Sequence, residues 1–293
     1  QIVLDGRDDN TTIINEIDTD SQIVADRLDV NEIFSVDLTT EVDELRIASV
    51  GTDSGAGAID IVNEGDLRID GISSEIYATV DVSTTGDMEV AEAIETRQDG
   101  QTIRLAATGG ALSVADKLWT GQDETGNAQI WLEGGDDIVL AADVNAFAST
   151  VNLDADGAIK DFTTADGPTT DPDPGQWPGG AINAVTLNVT DASFIGGTAP
   201  DAQVDTNVDF LTLANVDDAA YFLEEDTITL SSVVSDGSVN VETAEGPITA
   251  TLVTTSDDEV TLTAEDWILV DQLNAGSGEV NLTADADLDG SDG

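Results

Sequence analysis

The last nine residues, "DADLDGSDG", set Asp285, Asp287 and Asp289 at alternate positions ahead of Gly290. This is the opening D-x-D-x-D-G of a calcium loop, in which alternating carboxylates converge on a hard cation and the glycine permits a sharp turn. The bidentate acid expected at the twelfth position falls beyond Gly293. A neighbouring chain completes such a site, or the site is weak, or these residues form a solvated acidic tail. Three further acidic groupings read first as solvated turns, because Asp is a preferred turn residue. They are Asp5, Asp8 and Asp9 in "DGRDDN", Asp171 and Asp173 in "TTDPDPG", and Asp257, Asp258 and Glu259 in "SDDE". "EGGDDIVL" is only faintly like a calcium-roll nonapeptide, with one glycine pair and no tandem repeat.

Other chemistry is narrowed by what the chain lacks. It has no Cys and no His, which removes disulfides, thiolate chemistry, imidazole metal sites and every His-based triad. A carboxylate pair can do acid–base work on a polysaccharide without histidine. Acidic polysaccharides, however, need Lys or Arg to hold them, and no base follows Lys160. With 61 carboxylates, adjoining pairs arise by chance and none stands out. The expectation is that the protein is not an enzyme, a polysaccharide-active β-helix being the third-ranked reading.

Sixty-one acidic residues against eight basic ones give a formal charge of −53. Self-repulsion of that size opposes compaction unless counterions screen it. Nucleic acid and anionic membranes are excluded as partners on the same ground. Divalent cations, concentrated salt or a cationic partner are the natural complements. The chain starts at Gln1 rather than Met and reads as a processed or excised piece, so an extracellular or cell-surface location is expected. Three sequons, at Asn10, Asn188 and Asn281, are candidate glycosylation sites.

The elements that would position these groups follow from a repeated phrase. Ile59-Asp-Ile recurs as Val80-Asp-Val, Ile103-Arg-Leu, Ile130-Trp-Leu and Val151-Asn-Leu. It continues as Val185-Thr-Leu, Leu211-Thr-Leu, Val239-Asn-Val, Val260-Thr-Leu and Val280-Asn-Leu, with a basic period of about 21 residues. A second alternating phrase follows each, such as Leu67-Arg-Ile69, Met88-Glu-Val90, Ile138-Val-Leu140 or Ile268-Leu-Val270. Strict alternation over three to five residues is a strand signal. Short strands separated by Gly, Asp, Asn and Ser describe a coil of a parallel β-solenoid, whose rungs bury a continuous aliphatic column only when stacked. Ten rungs at strand spacing make a rod roughly 50 Å long. A β-sandwich with strand exchange between subunits also has short alternating strands and is the alternative.

The segments divide accordingly. Residues 1–50 carry apolar phrases without the later rhythm and read as an N-terminal cap, or as strands in which Gln1, Ile2, Val3 and Leu4 pair with a neighbouring subunit. Residues 51–161 and 183–284 are solenoid coils. Residues 162–182 hold four of the six prolines and form an ejected loop, where Trp177 is either a contact residue or folded back on its own scaffold. Residues 285–293 are the acidic tail.

The phrases "GSGEVNLTAD", "DDEVTLTAED-WILV" and "GDDIVLAADV" resemble the coil repeats of filamentous-haemagglutinin-like adhesins and of giant repetitive bacterial surface proteins. The resemblance covers residues 55–160 and 205–285 and is of low specificity, since aliphatic solenoids drift towards V-x-L-x-A. It implies a secreted, elongated right-handed β-helix for adhesion or matrix building, with no catalytic residues to carry over. The reading is a structural subunit or segment of a surface filament, assembled head to tail with itself and modulated by cations such as Ca2+. A monomeric adhesin binding a glycan or surface ligand is the alternative.

Overall fold

A computed structural model of the chain describes residues 1–6, 13–15, 22–31, 33–48, 57–74, 78–96, 101–120, 128–161, 182–198 and 203–284. Among them the only regular structure is β: 27 strands and no helix. Every recorded ladder is parallel, from residues 2–5 on 28–31 to residues 260–263 on 280–283. Parallel pairing throughout excludes the β-sandwich alternative, whose sheets are antiparallel. The chain is a β-solenoid of about ten turns.

The walls follow from alternation. Along Gly57–Asn63 and Gln129–Gly134 every second residue is buried, and Met88–Thr96 follows the same rule on either side of a bend at the exposed Glu92. Inward residues stack in register into columns. One runs Ile14, Val36, Ile59, Val80, Ile103, Ile130, Val151, Leu187, Leu211, Leu230, Ala250, Val270. Its middle members are fully enclosed, Val80, Ile103, Ile130 and Val151 each being 0% exposed. Complete burial of such a side chain contributes about 1.5–3 kcal/mol, so the repetition is what stabilises the rod.

The phrase alignment needs two corrections. Leu187, rather than Val185, lies over Val151, because the register slips between residues 146 and 150. Beyond Leu211 the phrases change wall. Val239, Val260 and Val280 stack on Ala220 and so, through Ile195 and Ile159, extend the column of Leu67, Met88, Leu112 and Ile138. The cause is a bend that migrates. In early rungs it separates Val90 from Ile94 and Val114 from Leu118; in late rungs it separates Ala250 from Val253 and Val270 from Leu273. Both bends leave look-alike V-x-L triplets, so similarity of phrase follows the triplet and not the wall.

Of residues 1–50, read as an N-terminal cap or as strands pairing with a neighbouring subunit, the described strands 2–5, 13–15, 23–31 and 35–47 lie in the same stack. Ser35–Ile47 pairs with residues 13–15 and 23–30 on one side and with residues 59–63 and 68–72 on the other.

Polar corners close the rungs. Asn63 is fully buried; its Oδ1 accepts from the Thr40 hydroxyl at 2.8 Å and the Val42 N–H at 2.9 Å, while its Nδ2 faces Thr84 Oγ1 at 3.4 Å. Asn63→Ala strands two buried donors, and each unsatisfied group costs about 1–3 kcal/mol. A loss of roughly 2–4 kcal/mol is expected in denaturant unfolding; a change below about 0.5 kcal/mol would refute this role for the corner.

Candidate functional site

The acidic residues divide by position. Turn aspartates cap the next rung: Asp66 Oδ1 accepts the Asp87 N–H at 3.0 Å, Asp87 Oδ1 the Ala111 N–H at 2.9 Å, and Asp257 Oδ1 the Ser277 N–H at 2.8 Å. Turns stacked this closely leave no room for side chains. A Cβ at Gly110 would lie 2.7 Å from the Asp87 nitrogen, and one at Gly237 would fall inside the Asp218 carbonyl. The Gly/Asp richness between phrases is therefore inter-rung hydrogen bonding. "SDDE" and "EGGDDIVL" are such turns.

Strand-borne acids form outward ladders. Asp37, Asp60 and Asp81 are directly stacked, and Asp60 is held above the usual carboxylate range by burial first, then by Asp81 and Asp37, with Arg104 opposing. The bases engage the flanks of this acidic surface. Arg27 meets Asp29, Glu44 and Asp70 at 3.0–3.1 Å, Arg68 meets Asp70 and Glu89, and Arg104 meets Asp81 and Glu133. Lys117 pairs with Glu95 and Lys160 with Asp137. Such partly exposed pairs contribute little individually, about 0–1 kcal/mol. Among the described residues no group of three or more acids is arranged to hold a metal ion. The predicted calcium ligands Asp285, Asp287 and Asp289 lie outside the described residues, as do Trp177 and Asn10. Of the other sequons, Asn188 Nδ2 donates to Asn152 Oδ1 at 3.1 Å and Asn281 Nδ2 to Glu259 Oε1 at 2.7 Å.

One functional group escaped the sequence reading. Glu224 points into the core and is 0% exposed. It is stacked between Thr206 and Thr243, where earlier rungs carry Ile72, Ile94, Leu118, Val144 and Ile182. Its carboxyl accepts from the Thr206 hydroxyl at 2.7 Å and the Val208 N–H at 3.1 Å. Burial pushes its pKa up to about 8 despite these bonds. Beside it Asp205, through burial and then the Asp161 charge, is pushed up to about 6. The signal was present in Ala220-Tyr-Phe-Leu-Glu224, where alternation turns the first, third and fifth residues inward.

The two ends of the stack are alike. At the first, Ile2–Asp5, Ile13–Asn15 and residues 23–25 each pair on one edge only among the described residues. At the other, Ile268–Val270, Leu273–Asn274 and Val280–Thr283 do the same. Inward side chains are correspondingly uncovered: Val280 and Leu282 are 44% and 48% exposed, against 0% for Val260 and Leu262 one rung below. At the first end Ile2 and Leu4 are half-buried over the fully enclosed Leu28 and Val30, Ile14 over Val36 and Ile23 over Thr40. Gln1 Nε2 donates to Asp29 Oδ2 at 2.5 Å within its own chain, and Val3 is 53% exposed on the outer face. Half-covered aliphatic side chains beside unpaired strand edges are the features that template strand addition. No family model matches the chain, and neither a curated protein nor a solved structure does.

Proposed function

We propose that the chain is a structural protein: a rod-forming subunit or segment of an extracellular filament or matrix fibre, associating end to end and modulated by cations. The observation that carries this reading is the pair of ends of one parallel stack, each with half-covered aliphatic columns and strands that, among the described residues, pair on one edge only. The two edges of a parallel stack differ, so such contacts are heterologous and propagate rather than close. Acids in the turns of nearly every rung keep the flanks of neighbouring rods apart until salt or divalent cations screen them. Resemblance to adhesin coil repeats supports the same placement. No catalytic role is proposed, since the bases an acidic polysaccharide would need are sparse and five of them, Arg27, Arg68, Arg104, Lys117 and Lys160, are engaged in ion pairs.

Electron microscopy of diluted protein tests it, with and without a calcium chelator. Thin filaments that persist on dilution and separate laterally on chelation are expected. Isolated short rods in every condition would sink the filament and favour the second reading, a monomeric surface adhesin. That reading rests on Trp131 and Phe210, 41% and 42% exposed on the outer side of one wall, with Thr150, Thr186 and Asn188 between their rungs.

A further inference from the structure

We infer that copies of this chain dock head to tail in one defined register, with Leu282 of one copy on Ile2 of the next and Val270 on Ile14. The inference rests on the filament reading and adds to it which residues meet. Its basis is the identity of the columns at the two ends. Ile2 begins a column that passes through Leu28, Leu45 and Val90 to Leu140 and Asp161. Asp161 lies two residues after Ile159, which stacks through Ile195 on Ala220. Phe222, two residues after Ala220, therefore holds the same column and leads through Val241 and Leu262 to Leu282. Ile14 and Val270 are the two ends of the second column described above.

The winding agrees as well. At the first end the chain passes through residues 2–5, 13–15 and 23–25 before stacking residues 28–31 on 2–5. At the other it passes through residues 260–263, 268–270 and 273–274 before stacking residues 280–283 on 260–263. Strand direction and the identity of the Ile2 and Ile14 columns thus continue across a junction between two copies, while the third segments sit on neighbouring columns of one wall, Leu273 on that of Leu213 and Leu38 and Ile23 on that of Thr40 and Asn63. Two identical ends facing each other would meet strand against strand in opposite directions, and their columns would not match. A second copy, offered tail to head, is the occupant that satisfies both conditions, strand direction and the match of these two columns.

This register sets outward-facing Thr283 over Val3, at the rung spacing of about 4.8 Å. That spacing falls within the Cα separations a disulfide spans. The chain contains no cysteine, so an introduced pair reports on itself alone. Val3→Cys with Thr283→Cys is expected to give, on oxidation under filament-forming conditions, a ladder of covalent oligomers on a non-reducing gel. At least tenfold less is expected from Val3→Cys with Asn281→Cys, which is out of register by two residues, and monomer from Val3→Cys alone. Both pairs sit on the outer face, and an unchanged β circular-dichroism signal confirms folding. Filaments in the microscope with cross-linking absent, or stronger in the shifted pair, would overturn the register and leave the filament standing. Absence of both filaments and ladder would overturn both.

Discussion

Replacing Glu224 by Gln is expected to remove most of the loss of stability that the protein suffers between about pH 5 and pH 9. The wild-type carboxyl is enclosed in an otherwise aliphatic or hydroxyl-bearing column, and its pKa is pushed up to about 8 by burial. The Thr206 hydroxyl and the N–H groups of Val208 and Asp226 favour the ionised form and offset only part of that cost, while the Asp226 charge adds a smaller repulsion. In the unfolded chain the group ionises in the ordinary range, near 4.3. Between those values the folded state holds a proton that the unfolded state has released. The stabilisation is therefore fully present at low pH and is lost as pH rises through about 8. The separation corresponds to an upper value of roughly 5 kcal/mol. Gln keeps the shape and the Thr206 and Val208 contacts at one oxygen but cannot ionise. Asp205, pushed up to about 6, adds a smaller loss of the same sign in both proteins, so the informative quantity is their difference. Denaturant unfolding at pH 5, 7 and 9 measures it. Curves that diverge by several kcal/mol at alkaline pH are expected; parallel curves would show that Glu224 is solvated or otherwise compensated. Should the Gln variant fold poorly, Glu224→Ile, which restores the residue type of Ile182 and Ile94 in this column, provides the same comparison.

That a buried acid was missed while the solenoid was not reflects what alternation encodes. The wall column from Ile59 to Val151 was legible residue by residue, because each phrase carries β-branched or leucine side chains at fixed parity. Parity alone also marks Glu224 as inward, but a reading that takes inward to mean apolar passes over it. The late wall change was illegible for another reason. Sequence similarity scores the triplet, and a three-residue bend moved from one corner to another leaves every triplet intact while rotating its place around the rod. Asp reads first as a turn residue, and Asp66, Asp87 and Asp257 stand in turns. Its specific use, the carboxylate of one turn accepting an N–H of the next, depends on contacts some 20 residues apart that no local pattern displays. The open ends were anticipated only as a general property of solenoids. Which column reaches which end emerged from the ladder register.

Ile103→Asp, in the middle of the stack, is expected to damage the rod locally rather than melt it as a whole. Ile103 is 0% exposed and lies between Val80 and Ile130. Truncation to Ala at such a site costs about 2–5 kcal/mol, and a carboxylate adds the penalty of an unpaired buried charge. In a stack where each rung touches only its neighbours, that loss has no direct route to distant rungs. Hydrogen exchange is the measurement. Amides of residues 78–84, 102–107 and 129–134 are expected to lose protection by at least a hundredfold, while those of residues 239–243 and 260–263 change by less than threefold. Uniform loss along the chain would instead mean that the stack unfolds as one cooperative unit. The distinction bears on the proposed role. A filament whose rungs fail one at a time keeps its remaining length under load or alkaline stress, and the fully buried Glu224 then marks where such opening begins as pH rises. An all-or-none rod would make the same carboxyl a switch for the whole subunit.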